Sequence, residues 1–194
     1  MTVRKSEILA AAKEMFAEQG VSRTTVRQIG ARAGILSGSL YHHYESKLDL
    51  VDEILGEFCA EILDDYRRMA AEEGDAPTRF RGLMQYAFSL LDRHSAALAI
   101  MLHDSADLVK EERFAYLVAF NQGVEDHWTE VVRDGIAQGA FRASVDPEIF
   151  YRHARDAILG ARRWYVPGGR KSSAELADDY ADTLLLGVTV RDCP

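Results

Sequence analysis

Leu48, Val51, Leu55, Phe58 and Ile62 follow one another in alternating steps of three and four residues. That spacing puts an apolar stripe on one face of a long helix. The pattern begins after Ser46, a helix-capping residue with Asp49 at the matching box position, and runs to about Ala71, where "EEGDAP" breaks it. Helical spacing recurs nearly everywhere else, whereas alternating strand patterns of four or more residues are hard to find. The chain therefore reads as all-α, with about nine helices. Ile8, Ala12, Met15 and Phe16 form a first helix closed by Gly20, and Val26, Ile29 and Ala33 a second, capped by Thr25 with Gln28 and ended by Gly34. A third fits residues 38–44, with Leu40 and Tyr44 facing inward. Beyond Pro77, helices are expected near 78–93, 95–103, 111–139, 147–165 and 173–190, separated by "DRHS", "HDSADLVKEE", "QGAFRASVDP" and "VPGGRKSS".

The formal charge of -8 over 194 residues argues against non-specific binding of polyanions by the whole surface. Its distribution points elsewhere: residues 1–47 carry seven Lys/Arg against four Asp/Glu, so the excess of acid lies entirely beyond them. A basic head (1–47) on an acidic body (48–194) is the asymmetry of a polyanion-binding module joined to a second domain. No apolar run resembles a secretory signal or a membrane span, so a cytoplasmic protein with no membrane partner is expected. Cys59 falls in a helical stripe and Cys193 is penultimate, which implies no disulfide framework. Near the end, Phe150, Ala154, Ala157, Ala161 and Trp164 form a stripe of mostly small residues, and "TLLLGVTV" (183–190) is apolar on almost every side. A homodimer interface involving Ala154, Ala157, Ala161, Trp164, Leu184 and Val188 is the expectation, with burial inside one chain as the alternative.

Residues 34–50, "GILSGSLYHHYESKLDL", hold the densest cluster of unusual side chains. A metal site is a poor reading, because adjacent His42 and His43 point about 100° apart on a helix and lack a cysteine or a second histidine at i+4. A nucleotide-phosphate loop is poorer still: "GILSGS" follows a helix and lacks the closing lysine. No metal or other cofactor is expected. A DNA-reading helix accounts for the cluster better, since two short helices joined by a glycine turn and packed on a first helix form a helix-turn-helix unit. Gly38 then lets the backbone approach the duplex; Ser37 and Ser39 donate to phosphates or base edges; Tyr41 reaches a phosphate or a thymine methyl; His42 donates to a phosphate. Lys47 supplies charge at the start of the long helix, and Thr25 and Arg27 lie where backbone phosphates would pass. His43 is left to helix packing or the hinge.

The stretch "TTVRQIGARAGILSGSLYHHYESKLDLVDEIL" (24–55) resembles the DNA-binding region of the TetR family of repressors, which runs from a Thr-capped helix through an Ala-Gly turn to a Leu-Tyr-x-His-aromatic end followed by Lys. "ILSGSLYHH" and "ARRWYVPGGRKSSAELADDY" further resemble an actinobacterial branch of that family, which contains the repressor of late cholesterol-ring degradation genes and responds to a coenzyme A thioester. One departure is Leu159, where that branch leads one to expect an aromatic residue one turn after Arg155. The resemblance implies a homodimer that binds a palindromic double-stranded DNA operator and releases it on binding a small-molecule inducer, an acyl-CoA in that branch. Pocket candidates are Tyr86, His103, Trp128 and Tyr151, although aromatic residues at helical spacing also describe a plain core. Arg155 and Arg162, seven positions apart on one helix face, could hold ligand phosphates or could pair with Asp156, Asp178 or Asp182. The rival reading is an all-α enzyme or carrier acting on acyl thioesters. Against it, no Ser-His-Asp set, carboxylate pair or activated cysteine can be assembled, so no catalytic residue is assigned.

Overall fold

In a computed structural model of the chain, described for residues 3–71 and 74–189, ten α-helices and one 3-10 turn make up the ordered elements. They are α1 (Val3–Gln19), α2 (Val26–Arg32), α3 (Ser37–Leu40), α4 (Lys47–Ala70), α5 (Ala76–Arg93), α6 (Ser95–His103), α7 (Ser105–Leu108), the 3-10 turn Glu112–Phe114, α8 (Tyr116–Ala137), α9 (Pro147–Ala161) and α10 (Ser173–Val188). The helices gather into two compact units. One comprises the residues up to Ile62 with His94–Ala119, the other Leu63–Arg93 with the residues from Phe120 onward. The division falls inside α4 and inside α8, each of which is one unbroken helix.

In the first unit α1 packs against α2 and α6, and α2 against α3. Ile8, Ala12, Phe16, Ile29, Leu40, Leu50 and Val51 have no exposed surface and form its core. Gly20 ends α1 with φ +79 and Gly34 follows α2 with φ +68, both in the left-handed region that favours glycine. Thr25 and Gln28 form the expected capping box. Ser46 and Asp49 form the one at the start of α4: the Ser46 N–H donates to Asp49 Oδ2 at 2.8 Å and the Asp49 N–H to Ser46 Oγ at 3.3 Å. Arg113 adds an ion pair to Asp49 at 2.6 Å. Burial works against the Asp49 charge, but Arg113 and Ser46 outweigh it and hold the carboxyl below its ordinary range. Cys59 is the buried thiol its stripe implied, pushed up to about 12 by burial. Cys193 lies outside the described residues.

In the second unit α5 lies along α10 and touches α9. The core is aromatic. Phe80 makes an edge-on contact with Trp128 and a tilted one with Phe150, Tyr66 stacks on His127, and Phe88 meets Tyr180. Phe141, on the loop after α8, lies so close to Gly135 that a methyl group there would come within 2.2 Å of its ring. The Arg142 N–H donates to the carbonyl of Val188 at 2.8 Å, fastening the end of α10 to that loop.

Several helix boundaries differ from those expected, and the short α7 lies inside the expected break "HDSADLVKEE". α3 stops at Leu40, and residues 41–43 form a turn, because the chain must leave the helix axis before the Ser46 cap can start α4. Leu40 and Tyr44 are nonetheless both buried. The helix expected over 111–139 begins only at Tyr116; Phe114, in the preceding 3-10 turn, is completely buried and anchors the break. α9 ends at Ala161, where Trp164 and Tyr165 both donate to the Ala161 carbonyl in a turn, so Trp164 leaves the helical stripe. α10 ends at Val188, with Thr189 extended.

Candidate nucleic-acid interface and ligand site

The α2–α3 unit is built to present a short, small-residue surface. Its buried side is fixed by Ile29 and Leu40, and by Thr24, whose buried hydroxyl donates to the Gly20 carbonyl at 2.7 Å and ties the α1–α2 loop to itself. The turn is fixed by backbone bonds from Ile35 to Gly30, 2.8 Å, and from Ser39 to Leu36, 2.9 Å. Thr25, Arg27, Gly38, Ser39, Tyr41 and His42 are exposed, and Gly38 has open space around its Cα. Arg27 has no ion-pair partner among the described residues. Thr25 already spends its hydroxyl on the capping box, donating to Gln28 Oε1 at 2.8 Å and accepting from the Gln28 N–H at 3.3 Å, which leaves it a minor donor for any phosphate. The Ser37 side chain lies outside the described ones.

Lys47 is engaged within the head itself. Its Nζ donates to the carbonyls of Val21 at 2.5 Å and Thr24 at 2.8 Å, and the side chain is half-buried. Two of its three N–H groups thus clamp the first turn of α4 to the α1–α2 loop instead of waiting for a phosphate. Arg32 is similarly engaged, bound to Glu14 at 2.9 Å and Glu18 at 3.0 Å. Its hydrogen bonds, to Glu18 first, raise its already high basicity. His43, expected to pack on the helices or to face the hinge, is exposed beside His42. A residue that the periodicity does not single out is Leu36, 84% exposed at the entry to α3. It lies before the helix expected over 38–44, so helical periodicity says nothing about it.

The expected ligand residues do not form one group. His103 ends α6 in the first unit, exposed beside a polar depression that also involves Phe16, Gln19, Arg23 and Asp104. There the Asp104 Oδ2 is buried without a hydrogen-bond partner. Tyr86, Trp128, Tyr151, Arg155 and Arg162 belong to the second unit. Trp128 is 2% exposed and its Nε1 donates to the hydroxyl of Tyr66 at 3.0 Å, which makes it a satisfied core residue. Tyr86 is half-buried and donates to Asp65 Oδ2 at 2.6 Å. Tyr151 is buried, with burial pushing its phenol up and Arg155 partly opposing it. The exposed Arg155 guanidinium lies over the Tyr151 ring, 5.7 Å from its centre, and pairs with Asp156 at 2.9 Å. Asp178 and Asp182 instead accept from Gln85 and Arg81. Arg162, at the C-terminus of α9, is half-buried, and no carboxylate pairs with it among the described residues. Burial lowers its affinity for its proton. An under-compensated cation of this kind is a candidate anion receptor. A separate open cleft in the same unit is lined by Tyr66, Met69, Thr78, Arg79, Gly82 and His127.

Of the expected dimer residues, Ala154 and Ala161 have no exposed surface in the single chain and Val188 almost none. Ala157 and Leu184 are half-buried, and Trp164 is 55% exposed. Among the described residues no cluster of three or more His, Cys, Asp or Glu is placed to hold a metal ion, and no helix is long and apolar enough to cross a membrane.

Residues 8–54 match the model of the tetR family of bacterial regulatory proteins, and residues 73–188 match that of a tetracyclin repressor-like C-terminal domain. The chain is 38% identical to the HTH-type transcriptional repressor KstR2 of Rhodococcus jostii over 185 residues, 95% of this chain and 91% of that one. It is 37% identical to the KstR2 of Mycobacterium tuberculosis over 96% of this chain and 93% of that one. The solved structure of the ketosteroid transcriptional regulator KstR2 of Mycobacterium tuberculosis superimposes with a TM-score of 0.93 at 36% identity, covering 98% of this chain and 97% of the other. AibR, solved with isovaleryl coenzyme A and operator DNA, shares the fold with a TM-score of 0.82 at 24% identity, covering 94% of this chain and 98% of that one.

Proposed function

Because the chain belongs to the TetR family of bacterial regulatory proteins, we propose that it is a homodimeric repressor whose head, residues 1–47, reads a palindromic operator and whose body, residues 48–194, binds an acyl-CoA thioester that releases the DNA. One observation carries the DNA reading: Arg27, Gly38, Ser39, Tyr41 and His42 are all exposed on a helix-turn-helix whose other groups, Lys47 and Arg32 included, are committed to holding it together. Phosphate contacts then fall to Arg27 and to short hydroxyl and imidazole donors, and base reading to the small residues of α3. Two such heads related by a two-fold axis read half-sites about one helical turn, roughly 34 Å, apart.

The unpaired, half-buried Arg162 supports the thioester, because a phosphate-bearing ligand would supply the anion that the fold does not. Arg155, already paired with Asp156, would have to change partners to help. Ligand and operator are coupled if each favours a different arrangement of the heads, and the coupling is then reciprocal. The test uses a palindromic duplex selected from a randomised pool by the purified chain, with binding followed by fluorescence anisotropy. Acyl-CoA thioesters, those of steroid-ring fragments among them, should weaken duplex binding between about 5- and 150-fold. Arg162→Ala should abolish that response while duplex affinity without ligand stays unchanged. Release by free steroids but by no thioester would overturn the ligand class and leave the operator reading standing.

A further inference from the structure

Leu36 is the most exposed large apolar side chain on the protein among the described residues, at 84%. A single exposed leucine is ordinary on a protein surface. Its position is not. It stands immediately before α3, held in place by the Ser39 N–H on its carbonyl at 2.9 Å and by the left-handed Gly34 two residues earlier. The exposed groups that follow it, at Gly38, Ser39, Tyr41 and His42, are those through which the head reads DNA.

The sequence has no arginine or lysine between Arg32 and Lys47, and both of those are occupied inside the head. Arg23 lies outside this stretch, in the α1–α2 loop, with its Nε donating to the Gln19 carbonyl at 2.9 Å. Bidentate recognition of guanine, the commonest specific contact in the major groove, is therefore not available from α3 or its turn. What the turn offers instead is a branched alkyl group with no donor and no acceptor. The major-groove edges of the four base pairs carry one apolar group, the 5-methyl of thymine. We infer that Leu36 is a specificity-determining residue that packs on a thymine 5-methyl group in each half-site of the operator. The inference rests on the DNA-reading role of the head, and its test separates the two.

Deoxyuridine differs from thymidine only by that methyl group and keeps the same pairing. In a duplex selected from a randomised pool by the wild-type chain, each thymine is replaced in turn, symmetrically in both half-sites, by deoxyuridine. Losing one buried methyl costs about fourfold in affinity, equivalent to about 0.8 kcal/mol, and about fifteenfold when both half-sites lose it. The wild-type chain should show that loss at one thymine position, and Leu36→Ala should bind the thymine and deoxyuridine duplexes equally well. Because Leu36 is exposed, the variant should keep the wild-type unfolding transition, and its affinity for the unsubstituted duplex should fall by at least as much. Tyr41→Ala is the control, since its ring could meet a methyl as well. A deoxyuridine effect that persists in Leu36→Ala, one that vanishes only in Tyr41→Ala, or no effect at any thymine would each overturn the inference. A wild-type chain that selects no duplex at all would overturn the DNA-reading role itself.

Discussion

Lys47 and Arg27 separate two things that a cation in a DNA-binding head can do. The Lys47 ammonium is spent on the Val21 and Thr24 carbonyls, whereas the Arg27 guanidinium faces solvent without an ion-pair partner among the described residues. Removing Lys47 leaves two carbonyls of the α1–α2 loop without their donor, and hydrogen bonds to charged groups are each worth about 1.5 kcal/mol or more. Lys47→Met should therefore lower stability by roughly 2–3 kcal/mol and, through a less well-held head, lower operator affinity. The slope of log affinity against log salt should stay as in the wild type, because the ammonium neutralises no phosphate. Arg27→Ala should do the opposite, leaving thermal unfolding within about 0.5 kcal/mol of the wild type while making the slope shallower by about 0.9 for each phosphate that the guanidinium had neutralised. Salt titrations and urea unfolding of the same two variants decide the matter, and a slope that flattens in Lys47→Met would return that residue to the phosphate backbone. The sequence placed Lys47 beside the reading helix but could not show its partners, which lie 26 and 23 residues away.

Among elements, two glycines in helix interiors should respond to alanine with opposite signs. Gly56 in α4 has nothing within 4 Å of an added Cβ, whereas at Gly135 in α8 the Phe141 ring already occupies the space. Gly56→Ala should stabilise the protein by about 0.5–1 kcal/mol through helix propensity and a less flexible unfolded chain. Gly135→Ala must displace a completely buried phenyl ring and should destabilise by about 1–3 kcal/mol, as overpacked cores do. Equal shifts in the two thermal transitions would show that the Phe141 ring yields at no cost. The sequence spoke clearly where a signal was local: Gly20 ended α1, Thr25 with Gln28 capped α2, and Ser46 with Asp49 capped α4. It failed where a boundary is set from afar. The "VPGGRKSS" break marks the end of α9 only to within a turn, and nothing local shows that it falls at Ala161, so the stripe appeared to continue through Trp164. Trp128 resembled a pocket residue because its hydrogen-bond partner, Tyr66, is 62 residues away. Leu36 was hidden for a related reason: apolar spacing shows which residues a helix would bury, and the helix begins only after it.

For the whole molecule, a seam between two copies can use only surface that the single chain leaves open. Ala154 and Ala161 leave none, so their small side chains serve the chain's own packing, with Ala154 on the helix that touches α5. Among the described residues, the large apolar side chains left open in the second unit are Ile149, Trp164, Val166 and Leu186, with Leu184 and Ala157 half-covered. Enlarging a fully enclosed alanine is therefore a test of the fold, and charging Leu186 is a test of the dimer. Ala154→Leu should destabilise by about 1–3 kcal/mol at every protein concentration. Wild-type stability should depend on concentration, because association adds to the stability of a chain that also folds alone: while the dimer predominates, each tenfold dilution should remove about 1.4 kcal/mol per mole of dimer. Leu186→Arg should abolish that dependence, sediment as a monomer, and bind a single half-site about as well as the wild-type head while losing its preference for the palindrome. If Leu186→Arg still sediments as a dimer, the seam lies elsewhere on the molecule. If it is monomeric yet keeps the palindrome preference, pairing of the heads does not depend on this surface. Operator symmetry would then have to arise from contacts made on the DNA, and an inducer acting through the bodies would have no shared seam through which to separate the heads.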